Sequence, residues 1–335
     1  MKRKTRRASV PWIVPVLIFV AAAALVFVGG KLLDSLSRGE EATGDPNERY
    51  AYEETFEFDG VAYRRRRGLT SVLLIGVDRE NDSVEGRGYR NHGQADFLRL
   101  VVIDSKSGII HQVQIDRDTM TPITVLGIMG NKSGVRTTQI SLSHSYGDGA
   151  EKSCELTREA VSNLLFGAPI DFYMALNLDG ISVLNDAVGG VTVTLADDFS
   201  HIDPAMPKGA TLTLVGDQAE IFVRTRRSMS VGTNEARMAR QQQYIAALSD
   251  IVGAGVRNDQ DFVGELYDAL TDYLVTDMRR GRLINEAWAA RNYERAALIE
   301  PQGVHQIGSD GFSQFLPDED QLERTVVELF YEPVK

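Results

Sequence analysis

From Val10 to Gly30 the chain runs 21 positions without a charged residue, directly behind a tip that carries five bases (Lys2, Arg3, Lys4, Arg6 and Arg7) and no acid. A helix rises about 1.5 Å per residue, so this run reaches about 30 Å, the thickness of a bilayer's hydrocarbon core. One N-terminal transmembrane helix over residues 10–30 is therefore expected, with residues 1–9 as a basic tip. A cleaved signal has a shorter apolar region and a small-residue cleavage site. Ala21–Ala24 imitate such a site, and Pro11 and Pro15 weaken the first turns, but the length of the run favours a retained anchor. A buried core helix would not explain the bases before it. The flanks set the orientation: from Lys31 to Tyr50 there are three bases against five acids. The tip is expected in the cytoplasm and the C-terminal body outside a cell membrane crossed once.

Charge narrows what the exported part can bind. Removing the five bases of the tip from the 36 Lys+Arg of the chain leaves 31 bases against 47 Asp+Glu. An acidic body argues against broad binding to nucleic acid, while leaving room for a local basic pocket. A single cysteine, Cys154, excludes a disulfide scaffold and reads as a small packed residue rather than a nucleophile. Residues 31–56 are polar, acidic in balance and broken by Gly39, Gly44 and Pro46, as expected for an extracellular stalk. The body then occupies residues 57–335, near the upper size for one hydrophobic core.

Three short segments rich in Val, Ile and Leu open the body and read as strands: Ser71–Val77, Phe97–Ile103 and Ile109–Ile115. The loop Asp104–Gly108 is short enough for a hairpin. If Ile103 faces Ile109, the same register sets Asp96 opposite Asp116, beside Arg117 and Asp118. Asp78 joins that sheet end if its strand runs parallel to Ile109–Ile115. Further on, Glu155–Leu165 and Gly180–Ala187 read as helices, Asp171–Asn177 and Val191–Leu195 as strands. This alternation predicts an α/β fold, a layered α/β/α domain with a mixed central sheet and ligands at strand ends. The C-terminal third predicts helices plus one or two closing strands.

A second polar group starts at Arg224, Arg226 and Arg227 and resumes in the segment ARMARQQQYIAALSDIV. Asn234 is placed to cap that helix, and Met238, Ile245, Leu248 and Val252 form its apolar stripe. Arg237, Arg240 and Gln241 stand at i, i+3 and i+4, on one face of the first turns. Guanidiniums near a helix N-terminus suit an anion, because their forked donors add to the free backbone N–H groups. Taken singly, strand-end aspartates often cap turns and surface arginines make weak ion pairs. Carboxylates able to hold a hard cation, together with several arginines, are what a diphosphate substrate needs, since both neutralise charge on the leaving group.

Other chemistries find no support. The chain has no G-x-S-x-G, S-x-x-K or H-E-x-x-H motif, and its five histidines are scattered. The segment Gly127–Ser133 (GIMGNKS) brushes against a phosphate loop, but Asn131 stands where glycine must precede Lys132. The run Arg64–Arg67 reads as a solvated face.

With these residues in place the chain resembles the LytR-CpsA-Psr family of membrane-anchored glycopolymer ligases, from about Leu69 to the C-terminus. The carriers are LLIGVD ending at Asp78, ADFLRLVVID with Asp96, IDRDT with Arg117 and Asp118, PIDFYMALNLDGISVLNDAVGGVTV, FVRTR with Arg224 and Arg226, and ARMARQQ with Arg237, Arg240 and Gln241. The resemblance implies a Mg2+-assisted transfer of a glycopolymer from a polyprenyl diphosphate carrier to a peptidoglycan hydroxyl. By position it implies Asp78 and Asp96 as magnesium ligands, and Arg117, Arg224, Arg226, Arg237 and Gln241 as the diphosphate grip, to which Arg240 is expected to add. Asp96 is also the candidate base unless the metal occupies it, and Arg117 and Asp118 complete the expected catalytic set. Two departures stand out: Asn234 and Ala236 replace a common acid and glycine, and Gln94–Ala95 replace a frequent Arg-Ser. A non-catalytic sensor of polyprenyl diphosphate and a diphosphate hydrolase are the competing expectations.

Overall fold

The structure, a computed structural model, describes residues 55–78, 93–127, 129–225 and 234–334. The expected tip, the anchor at 10–30 and the stalk as far as residue 54 lie outside the described residues, and so do Arg226 and the side chain of Arg237. Among the described residues no helix is long and apolar enough to cross a membrane.

Six strands make the central sheet, in the spatial order β11 (Leu274–Thr276), β8 (Phe172–Asn177), β3 (Leu69–Val77), β4 (Ala95–Asp104), β5 (Ile109–Ile115) and β12 (Glu294–Ile299). The β8–β3 and β5–β12 pairs are parallel and the other three antiparallel, so the sheet is mixed. Every residue of β4 is buried. A strand covered on both faces reads as a nearly continuous apolar run, which is why FLRLVVI was legible as a strand. Its one basic residue, Arg99, faces Gln112 and Gln114 on β5, and burial pulls its guanidinium down to about 9 against the pull of Glu300.

Alternate residues of the central strands feed two cores. Val72, Leu74, Phe97, Val101 and Ile103 pack with the helices α3 (Gly180–Ala187), α4 (Gln218–Arg224), α5 (Asn234–Asn258), α6 (Phe262–Ala269) and α7 (Arg280–Ala290). Leu73, Ile75, Leu98, Leu100 and Val102 pack on the other face with α2 (Glu151–Leu164) and α8 (Glu319–Phe330), beside the short α1 (Leu142–Ser145). The period of two thus builds a helix–sheet–helix sandwich. Cys154 lies wholly buried in the second core, where burial pushes its thiol far above the ordinary range, as suits a packed residue.

Several expectations need correction. The body begins in β1 (Thr55–Phe58), so the boundary expected after residue 56 falls inside a strand paired with β2 (Val61–Arg65). The run Arg64–Arg67 is not uniformly solvated. Arg64 pairs with Glu332 of β15 (Tyr331–Pro333), Arg65 is buried against Asp171, and Arg66 donates to the Tyr331 carbonyl. The expected strand Val191–Leu195 shortens to β9 (Thr192–Thr194) and pairs with β10 (Thr211–Thr213), outside the main sheet. The last third supplies more strands than expected, among them both edges of the central sheet and the hairpin of β13 (Gly303–Ile307) and β14 (Ser313–Pro317). Edge strands as short as Leu274–Thr276 carry too little periodicity to be read from sequence.

The register of the β4–β5 hairpin also differs by one residue. Asp104, not Ile103, faces Ile109, because Asp104 itself closes the turn: its carboxylate accepts from the N–H groups of Lys106 and Ser107, and its carbonyl from Gly108. Gly108 takes the left-handed conformation (φ 67°) that this four-residue loop requires. Continued past Leu98–Ile115, the register sets Asp96 opposite Arg117 rather than Asp116.

Candidate functional site

That one-residue difference builds the first part of the site. Arg117 leaves the end of β5 and pairs through Nη1 with the Asp96 carboxylate across the strand boundary, while its Nη2 donates to Gln94 Oε1 at 2.6 Å. Its Nε stands 3.6 Å from Asp118 Oδ1. The guanidinium side chain keeps 16% of its accessible surface, whereas that of Asp96 keeps 2% and that of Asp118 none. The guanidinium therefore rests on a floor of two buried acids, with a small part of the side chain left in solvent.

Backbone bonds fix this corner. The Gln94 carbonyl accepts from both the Asp78 and the Asp96 N–H, at 3.1 and 3.0 Å. The ends of β3 and β4 thus meet at one oxygen, and the parallel alignment of β3 with β5 places Asp78 at the same sheet end, as expected. Ser141, just before α1, accepts from the Ala95 N–H and donates to the Arg117 carbonyl, which locks the Arg117 segment against the start of β4.

Asp118 is held from behind. Gln139, at the end of β7 (Lys132–Gln139), donates through one amide nitrogen to Asp118 Oδ1 at 3.1 Å and to the Ser313 carbonyl at 2.6 Å. Burial pushes the Asp118 carboxyl up to about 6; Asp116 adds to the rise, while Ser313, Arg117 and His305 oppose it. The enclosed carboxylate thus stands against the Arg117 guanidinium on one side and the Gln139 amide on the other. Gln139 had no signal in the sequence: it ends a polar, largely exposed strand whose partner is β6 (Met120–Leu126). The GIMGNKS segment sits at the tip of this β6–β7 hairpin, which agrees with reading it as a coincidental likeness.

The second part of the site lies at the C-terminus of α4, where the last carbonyls of a helix lack partners. Here Arg240 of α5 donates from Nε to the Phe222 carbonyl at 3.0 Å and from Nη2 to the Thr225 carbonyl at 2.7 Å. The next residue, Gln241, donates to the Val223 carbonyl at 3.2 Å. Arg240 Nη1 also pairs with Asp197, and its guanidinium lies over the Phe199 ring, 5.4 Å from the centroid. The side chain retains 5% exposure, so Arg240 caps and clamps α4 rather than reaching outward. Arg224, the last residue of α4, is 38% exposed and pairs with Glu220 one turn earlier. Asn234, expected to precede α5 as its cap, is the first helical residue. The apolar stripe extends to the buried Tyr244, Leu248, Val252 and Val256, with Ile245 at its margin.

The fold is thus an α/β/α sandwich that gathers aspartates and a partly exposed arginine at its strand ends, beside a capped helix end that carries a second. The chain matches the LytR_cpsA_psr family over residues 35–330, and it belongs to that family. Among its relatives, the protein named polyisoprenyl-teichoic acid–peptidoglycan teichoic acid transferase TagU of Halalkalibacterium halodurans is 30% identical over 232 residues, 68% of either chain. The TagU of Bacillus licheniformis is 27% identical over 265 residues, 77% of this chain and 76% of that one. Among solved structures, protein gbs0355 from Streptococcus agalactiae shares the fold with a TM-score of 0.59 at 22% identity, covering 78% of this chain and 87% of that one. TagT bound to LI-WTA gives 0.55 at 20% identity, covering 78% and 90%.

Proposed function

We propose that the chain transfers a glycopolymer from a polyprenyl diphosphate carrier to a peptidoglycan hydroxyl, on the outer side of the membrane to which its N-terminal helix anchors it. The observation that carries this reading is the partly exposed guanidinium of Arg117, held at a strand end between Asp96, Gln94 and Asp118. Its support from kinship is that relatives of this length bear the name of teichoic acid transferases.

In this reading Arg117 grips the phosphate being transferred, and Arg224, Arg226, Arg237 and Gln241 serve the rest of the diphosphate. Arg240 acts through another residue: by capping α4 it fixes where Arg224 projects. The acceptor hydroxyl attacks the glycan-bearing phosphorus in line, its new P–O bond forming as the bond to the bridging oxygen breaks. Carrier monophosphate leaves, and the hydroxyl proton passes to a carboxylate, Asp96 being the candidate that Arg117 already touches unless it is taken up as a metal ligand. A diphosphate arriving at Arg117 competes with Asp96 for the guanidinium, so substrate binding releases the carboxylate it needs.

The donor set suits magnesium. Asp78 and Asp96 carry hard oxygen ligands on backbone positions joined through the Gln94 carbonyl, and Mg2+ is usually held by one or two carboxylates plus substrate phosphates. Among the described residues no group of three or more His, Cys, Asp or Glu could hold a metal alone, so phosphate and water would complete the shell. Bound there, the ion would offset the negative charge that grows on the leaving phosphate.

The test incubates the purified chain with a polyprenyl diphosphate glycan and a peptidoglycan oligomer, with and without Mg2+, and follows products by mass spectrometry. A Mg2+-dependent, covalently joined glycan is expected. Free polymer would assign a hydrolase instead, and lipid binding without product a sensor.

A further inference from the structure

The β13–β14 hairpin is docked on the Arg117 segment at three points. The Phe315 N–H donates to the Asp118 carbonyl at 2.9 Å, Gln139 joins the Ser313 carbonyl to the Asp118 carboxylate, and His305 Nε2 stands 3.6 Å from Asp116 Oδ2. His305 also packs on Phe315, with ring centroids 4.7 Å apart. The inward face of the hairpin is thereby spent on holding the site.

Its turn does the opposite. Phe312 directly precedes Ser313, yet it is 64% exposed. The turn is well built: the Gly308 N–H donates to the Phe312 carbonyl, the Gly311 N–H to the Gly308 carbonyl, and the Phe312 N–H to the Asp310 carboxylate. Gly311 supplies the left-handed residue (φ 82°) that lets the chain turn back just before Phe312. An aromatic ring presented by an ordered turn leaves apolar surface in water that folding does not use.

Charge selects the occupant. From Gln302 to Pro317 there is no Lys or Arg, and Asp310 is the one carboxylate. An anionic lipid surface or a polyanionic donor would be repelled rather than drawn. On the neighbouring strands Gln306 and Gln314 face each other, and their paired amides retain further donor and acceptor capacity. A flat apolar ring bordered by planar amides matches an uncharged pyranose, whose C–H face stacks on the ring while its hydroxyl and acetamido groups take the hydrogen bonds.

We propose that the β13–β14 hairpin forms the acceptor side of the site, with Phe312 as the stacking platform for an N-acetylated sugar ring of the acceptor glycan strand. This deepens the transferase reading and rests on it for the identity of the acceptor. Placing the platform on a hairpin that also anchors Asp118 would set the incoming hydroxyl in a fixed relation to Arg117.

The test measures binding of an uncharged N-acetylglucosamine oligosaccharide to the full chain by titration, and separately the acceptor KM of the joining reaction. Phe312→Ala is expected to weaken oligosaccharide binding and raise acceptor KM by about three- to tenfold, leaving donor affinity unchanged, with Phe312→Trp restoring both. Unchanged binding in Phe312→Ala, no recovery in Phe312→Trp, or an equal loss of donor affinity would overturn the platform. If the wild-type chain joins no glycan while Phe312→Ala still loses the oligosaccharide, the transferase reading fails and the sugar platform stands. If the chain joins glycan with an acceptor KM indifferent to residue 312, the transferase reading stands and the platform fails.

Discussion

Arg117 and Arg240 were expected to do the same job, and the structure gives them opposite surroundings. Arg117 sits just past a strand end on a floor of carboxylates, with 16% of its side chain exposed. Arg240 sits on a helix with its donors spent on two backbone carbonyls and Asp197. In the proposed transfer, the first kind of arginine would exchange a protein partner for a substrate anion. The second completes a helix end, and its removal strands buried acceptors. Two guanidiniums equally prominent in sequence thus divide into one left partly in solvent at a strand end and one spent on closing a helix.

The largest expected effect tests the binding arginine. Arg117→Ala should cut turnover by at least about a thousandfold, as loss of a charge-neutralising arginine does in phosphoryl transfer, while circular dichroism shows the fold retained. Turnover equal to wild type would remove Arg117 from the chemistry. Arg240→Ala should show the reverse pattern, losing about 3 kcal/mol of stability because Asp197 and the carbonyls of α4 lose their donor. Thermal melts would read this as a fall of several degrees, and an unshifted melt would erase the distinction between the two arginines.

Smaller changes sharpen the same contrast. Gln94→Ala leaves the Asp96 pair in place but removes the second hydrogen bond to Arg117, so kcat should fall about tenfold with little change in stability. The smallest effect is on pH. Burial raises the Asp118 carboxyl to about 6, above its unfolded value, so the native state holds this proton more tightly. Its ionisation therefore costs stability, the cost being absent below about pH 4 and complete above about pH 6. Denaturant melts of wild type and Asp118→Asn across that window should diverge as pH rises, with wild type losing relative stability. Parallel curves would show that Asp118 is already paired well enough by Arg117 to titrate normally.

Much of the fold was legible before any coordinates. β5 and α3 fall at the residues their patterns marked, and β3, β4, α2 and β8 within a few residues of them. Each is either a short Val/Ile/Leu run or an amphipathic helix, where burial and period speak with one voice. The aspartates and arginines of the site were also legible as residue types at element ends. Their pairing was not. The hairpin register depended on Asp104 folding back to close its own turn, and a one-residue difference in that turn decides whether Asp96 meets Asp116 or Arg117. The hairpin that backs the site escaped notice because its strands are short and polar, and because nearly 200 positions of chain separate it from Arg117.

By itself, then, the sequence determined the layers and the chemistry at hand: periodic apolar segments long enough to form a sandwich, carboxylates and arginines at their ends, and membership in a family whose motifs run in this order. Tertiary structure alone decided which arginine meets which acid, that Arg240 and Gln241 close the end of α4, and that the β13–β14 hairpin docks on the Asp116–Asp118 segment. The reason is physical. Local pattern reports how each segment buries its own surface, whereas the partners of polar groups depend on turns, registers and distant strands that only the assembled fold brings within hydrogen-bond reach.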